Sequence, residues 1–290
     1  MRYVCCDLCG ADDPVVVAET GRSGLPVRTV VCKQCGLVYT NPTRELSDYE
    51  GEAAARMRRL MRPAERPTEK YLVKSARRAV AAMDVLSDLL QPGVRLLDVG
   101  CAAGRLLLPA RERGCEVEGV EPERAFAEFT REAVGCPVHE CLLEDAPLEP
   151  GSFDVIAASH VLEHTASPSA FLGRVCELLR PGGHVFVEVP DILQPRCSVR
   201  RVFHVAHRFN FTPTVLAALL SKSGFSVVRR RELRGPGAVQ AVAVRSANGG
   251  TRPHSEVEEY RKVLRALARH RYMYYLTGMF IRRKLTPTYE

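Results

Sequence analysis

The stretch Val94-Arg95-Leu96-Leu97-Asp98-Val99-Gly100-Cys101-Ala102-Ala103-Gly104-Arg105 restricts the fold more than any other. Four apolar residues in six, led in by Pro92-Gly93, predict a short buried strand, and the small residues up to Gly104 predict a sharp turn into a helix over 105–113. A strand, a glycine loop and a helix start together form a cradle for a ligand. The helix end offers unpaired N–H groups and partial positive charge, and glycines allow close approach to the backbone. The dinucleotide pattern G-x-G-x-x-G would need glycines where Ala102 and Arg105 stand, which argues against a pyrophosphate. One βα unit further on, Glu116 to Pro122 reads as a second strand ending in Glu121, whose carboxylate can accept both hydroxyls of a ribose.

The chain also carries Phe153-Asp154-Val155-Ile156, Ser159-His160-Val161-Leu162-Glu163-His164, Leu178-Leu179-Arg180-Pro181-Gly182-Gly183 and Glu188-Val189-Pro190, in that order. With the Asp98-x-Gly100-Cys101-x-x-Gly104 loop and Glu121, these segments resemble class I S-adenosylmethionine (SAM) dependent methyltransferases over residues 94–190. The resemblance implies an α/β fold with a Rossmann-like seven-stranded sheet and SAM as cofactor. It implies cofactor contacts from Asp98, Gly100, Cys101, Gly104, Glu121, Pro122, Ser159 and His160. An adenine-side loop at 141–148 would add the Leu143 amide and the acid Glu144, with Asp145 one register step away.

Cys6-Asp7-Leu8-Cys9 and Cys32-Lys33-Gln34-Cys35 are two C-x-x-C knuckles, each followed by glycine, and their four thiolates can close a tetrahedral site. Cys6, Cys9, Cys32 and Cys35 are therefore the expected ligands of a structural Zn2+; a rubredoxin-like iron or a redox dithiol shares the spacing. Cys5 is out of register. Between the knuckles, 15–18 and 27–31 read as a hairpin too small to fold without metal. Residues 5–42 resemble the zinc-binding segment ahead of many bacterial methyltransferases acting on sugars and other small biosynthetic intermediates.

The expected layout of the 290 residues is a zinc ribbon over 1–45, a linker and helix over 46–90, a SAM-binding domain over 91–248 and a helical tail over 249–290. The helix at 68–90, with Thr68 as N-cap, can cover the cofactor. Residues 191–211 are the expected acceptor lid. They hold His204-x-x-His207, a spacing that suggests a metal pair but lacks a third spaced ligand, so one imidazole is expected in the pocket and one at its surface. Arg200, Arg201 and Arg208 can grip an acidic acceptor group. His164, His207 and His204 are the candidate bases, since imidazole titrates nearest neutrality. Some relatives with a similar Leu-Glu-His stretch use it near a divalent ion, but here His160 replaces the completing acid.

A net charge of +7 is moderate, and the four basic residues before Arg44 are offset by Asp7, Asp12, Asp13 and Glu19. Nucleic acid is accordingly not the expected partner, and a small-molecule acceptor is. An rRNA or tRNA methyltransferase, or a non-catalytic SAM-binding scaffold, are the competing readings. No apolar run approaches the roughly 20 residues of a membrane span, so a cytoplasmic protein is expected. The sequence leaves the acceptor and the oligomeric state open.

Overall fold

The computed structural model describes residues 1–44, 66–194, 202–233, 237–246 and 257–284, with side chains of the last helix described as far as Tyr272. Two sheets organise the chain. The larger has seven strands in the order β10-β11-β8-β7-β4-β5-β6. Its parallel core comprises β4 (Arg95–Val99), β5 (Glu116–Val120), β6 (Val138–His139), β7 (Phe153–Ser159) and β8 (Leu179–Pro190). At one edge β11 (Ala238–Arg245) pairs antiparallel with β8, and β10 (Phe225–Leu233) pairs antiparallel with β11. This is the Rossmann-like architecture expected from the sequence.

Each crossover helix has a local cause. Thr68 caps α1 (Glu69–Leu86) by accepting from the Tyr71 amide. Ser167 caps α4 (Pro168–Leu178), and Thr212 caps α5 (Pro213–Lys222), each with proline in the first turn. Helix α3 (Arg124–Val134) ends on Gly135 in the left-handed conformation. The helix after the glycine loop is shorter than the sequence suggests: α2 spans only Leu107–Glu112, because 102–106 are consumed in turns with Ala102 at φ 46°.

The second sheet has the order β1-β2-β3-β9. The expected hairpin is β1 (Pro14–Thr20) with β2 (Pro26–Cys32); β3 (Val38–Thr40) follows the second knuckle. Its fourth strand, β9 (Phe209–Asn210), comes from the expected lid, pairing Val38 with Asn210 and Tyr39 with Phe209. The cysteine module and the segment after β8 thus share one sheet. The Asn41 carboxamide ties the N-terminal segment in by exchanging two 3.1 Å hydrogen bonds with the Val4 backbone. The tail helix α6 (Val257–Lys284) docks here as well: Val263 and Leu267 are buried against Val31, Val38, Ile192 and Phe203. Among the described residues no helix is long and apolar enough to cross a membrane.

The loop after β4 is held by close packing. The Gly100 amide donates to the Val120 carbonyl at 2.7 Å, its φ is +67°, and a Cβ on it would lie 2.6 Å from Val161 Cγ2. Gly100→Ala should therefore destabilise the fold by about 1–3 kcal/mol in urea unfolding, and Val161→Ala added to it should recover the steric part only.

Candidate active site

The C-terminal ends of β4 and β7 open into a cleft, as crevices in parallel sheets do. It is lined by Asp98, Gly100, Cys101, Ala102, Ala103, Arg105 and Ser159, and roofed by Tyr71, Ser75, Arg78 and Ala82 of α1. Asp98 is 5% exposed. Burial, and then the nearby Glu121 charge, push its carboxyl up to about 8. Arg105 also carries a buried Nε with no hydrogen-bond partner. A cleft with an uncompensated acid and an orphaned guanidinium donor suits a ligand that bears hydroxyl or ammonium donors together with a carboxylate.

Glu121 sits beneath this cleft and braces it. One carboxylate oxygen accepts from the Ala102 amide and the other from the Glu123 amide, both at 2.9 Å. Each oxygen keeps a lone pair for a ligand hydroxyl. Gly104 faces Thr130 and Val134 of α3 rather than the cleft. Leu143 is buried in the core, while Pro122 and Glu144 are exposed. The sequence reading missed Ser75, Arg78 and Arg105 as lining residues. Their signal was present: Tyr71, Ser75, Arg78 and Ala82 follow helical spacing along one face of α1.

His160, expected to wall the cofactor, has both ring nitrogens engaged elsewhere. Nδ1 lies 3.1 Å from Glu163 and Nε2 3.0 Å from Glu188, and Gln240 donates to the other Glu188 oxygen at 2.6 Å. Burial opposes charge on this imidazole, but the two carboxylates outweigh it and hold its pKa above the ordinary value. His160 therefore braces the turn with both ring nitrogens.

Beyond it, His164, His204 and His207 converge. The His164 and His207 ring centroids are 4.8 Å apart, and those of His204 and His207 are 3.9 Å apart. This corrects the expectation of one pocket imidazole and one surface imidazole, because His204 and His207 are both half-buried, with their rings tilted 44° to each other. Of the H-x-x-H pair only His207 joins a ligand-type cluster: Glu163, His164 and His207 each bring one ligand-type atom within 4.8 Å of the others, and His204 is not among them. Burial first, then neighbouring cationic groups, lower His204 to about 4 and His207 to about 2. His164 Nδ1 lies 2.7 Å from the Ala206 carbonyl, which only accepts, so that nitrogen carries the proton and Nε2 keeps its lone pair when the ring is neutral. Of the arginines proposed as acceptor grips, Arg200 and Arg201 lie outside the described residues.

In the cysteine module, Cys6 and Cys35 sulfurs are 3.5 Å apart, as are those of Cys9 and Cys32, and all four lie within 4.8 Å of one another. A tetrahedral ion with about 2.3 Å bonds to sulfur spaces its ligands roughly 3.8 Å apart, so the set fits. Cys6, Cys32 and Cys35 are buried.

A parallel sheet with an acid-braced glycine loop, roofed by a helix and flanked by imidazoles, defines a cofactor-binding group-transfer domain. The chain belongs to the methyltransferase-domain family, which matches residues 69–230. Similar proteins include the mitochondrial ubiquinone biosynthesis O-methyltransferase of Homo sapiens, 28% identical over 158 residues that make up 47% of this chain and 42% of that one. An uncharacterized 37.1 kDa protein in transposon TN4556 of Streptomyces fradiae is 30% identical over 217 residues, 67% of this chain and 63% of that one. The chain spans about four-tenths of the length of the ubiquinone enzymes it matches. Among solved structures, Burkholderia thailandensis 1,6-didemethyltoxoflavin-N1-methyltransferase, with bound 1,6-didemethyltoxoflavin and S-adenosylhomocysteine, shares the fold. It has a TM-score of 0.52 and 19% identity, covering 72% of this chain and 96% of that one.

Asp98 gives a pH signature. An unfolded carboxyl ionises near 3.8, whereas folded Asp98 holds its proton to about 8, so the folded state loses stability as pH rises through that window. The ligand-free protein should show this decline in urea midpoints between those values, and Asp98→Asn should flatten it.

Proposed function

We propose that this chain moves a methyl group from SAM to a hydroxyl of a small-molecule acceptor, a sugar or another biosynthetic intermediate. The reading rests on family membership and on one observation above all: His164 is fixed with Nδ1–H on the Ala206 carbonyl, which presents Nε2 as a proton acceptor. The O-methyltransferases among the relatives support an oxygen acceptor. When bound, SAM supplies an electrophilic methyl on its sulfonium. On the cofactor side, Glu121 accepts the ribose hydroxyls and Asp98 accepts donors of the methionyl part. Arg105 and Arg78 hold the carboxylate, and Leu143, Glu144 and Pro122 border the adenine. On the acceptor side, His164 Nε2 takes the hydroxyl proton, while neutral His207 and His204 exclude water and orient the acceptor. The main contribution is placing the two reactants in line. Cys6, Cys9, Cys32 and Cys35 hold a structural Zn2+.

A second reading is favoured by Glu163, whose Oε2 is buried with no hydrogen-bond partner. Glu163, His164 and His207 would then hold a divalent cation that lowers the pKa of the acceptor hydroxyl. Turnover stimulated by added divalent ions, and insensitive to them in His207→Ala, would favour it over the base reading.

Calorimetry with SAM is the first test: Asp98→Ala and Glu121→Ala should each weaken binding roughly tenfold to a hundredfold, the size of one or two lost charge-assisted hydrogen bonds. His164→Ala should keep SAM affinity and lower transfer of labelled methyl into a metabolite extract by about two to four orders of magnitude. Absence of SAM binding by folded protein overturns the reading. Unchanged transfer in His164→Ala removes the base.

A further inference from the structure

We infer that the cysteine module holds the acceptor half of the site in place, with Asp7 as the positioning residue. The inference rests on the methyl-transfer reading for what the histidines do, and on a metal at Cys6, Cys9, Cys32 and Cys35 for the rigidity of the module.

Asp7 lies between two of the four cysteines, so closing the knuckle around an ion fixes its backbone. Its side chain points out of the knuckle, across to α4. One carboxylate oxygen accepts from the Ser167 hydroxyl at 2.5 Å, and the other accepts from the Ser169 amide at 2.9 Å and the Ser169 hydroxyl at 2.7 Å. The Asp7 carbonyl accepts from the Ser169 hydroxyl at 3.1 Å and from Lys222 of α5. A negative group at the first turn of α4 also complements the helix dipole. Ser167 is three residues beyond His164, so this anchor sets where the Leu162–His164 turn can lie.

A second tether leaves the other knuckle. Three residues after Cys35, β3 begins and pairs with β9, and the Thr40 amide donates to the Arg208 carbonyl at 2.8 Å. Arg208 follows His207 directly. His164 and His207, whose rings meet, therefore belong to two segments that are each bonded to the cysteine module within a few residues. The cleft proposed for the cofactor is built from other parts, namely the end of β4 and its glycine loop, the end of β7, and α1. Releasing the metal should loosen the acceptor half and spare the cofactor half, an effect that a fold-wide structural ion would not produce.

Amide hydrogen exchange on the full chain, with and without a chelator that removes the metal, reads this directly. Stripping should speed exchange at 162–170 and 204–210 by roughly tenfold or more, while 96–104 and 117–121 keep their rates and SAM affinity stays within about twofold. Asp7→Ala, checked for retained metal, should loosen 162–170 alone and disturb the Nδ1–H tautomer signal of His164 in nitrogen NMR. Asp7→Asn, which keeps one acceptor oxygen, should restore most of both. Exchange rising equally everywhere on stripping overturns the inference, and so does metal-loaded Asp7→Ala with unchanged exchange at 162–170. Failure of the intact protein to bind SAM would refute the methyl-transfer reading and leave the exchange result standing.

Discussion

The interaction on which both halves of the site depend is the carboxylate–imidazole–carboxylate bridge through His160. Ser159 ends β7 in the cofactor cleft, and His160 follows at φ +58°, a left-handed conformation that costs a non-glycine residue about 1–2 kcal/mol. Its ring offsets that cost by joining Glu188 of β8 to Glu163 of the next turn, and Gln240 of β11 extends the bridge. The central strands and the histidine-bearing turn are thereby locked by one buried charged network. Such a network is costly to break, because removing one member leaves an uncompensated buried charge. The turn therefore has one geometry, and His164 has one direction.

The two halves also differ in their electrostatics. The cofactor cleft concentrates acids with guanidinium groups close by, which is the complement of a zwitterion. The proposed acceptor side gathers imidazoles, two of which, His204 and His207, burial keeps neutral. Chemistry that starts from a cationic cofactor and ends with a released proton suits that division.

The glycine loop, the strand ending before Glu121 and the Thr68 cap were legible in the sequence because each rests on contacts within a few residues or within one βα unit. The four cysteines were legible because ligand spacing is itself a local pattern. Helix α2 came out shorter because Ala102 adopts a left-handed turn that composition does not reveal. The remaining features needed the third dimension. Nothing in His204-x-x-His207 points to His164, and nothing in Val38-Tyr39 points to Phe209-Asn210. Asp7 reads as an ordinary knuckle residue until Ser167 and Ser169 are seen beside it. His160 was assigned to the cofactor by position, and only its two carboxylate neighbours give it a different role.

The shared second sheet has a consequence for how the protein is made. During synthesis the ribbon emerges before residues 209–210, so its β3 edge has no partner until they have left the ribosome. The second knuckle is covered only later still, when the backbone of Glu259 and Tyr260 comes to lie against Gly36. Until then the nascent chain carries an open strand edge and a half-sheltered thiol cluster, the kinds of surface that invite pairing with the wrong neighbour. Early metal capture would shorten that exposure at the cysteines but not at the strand.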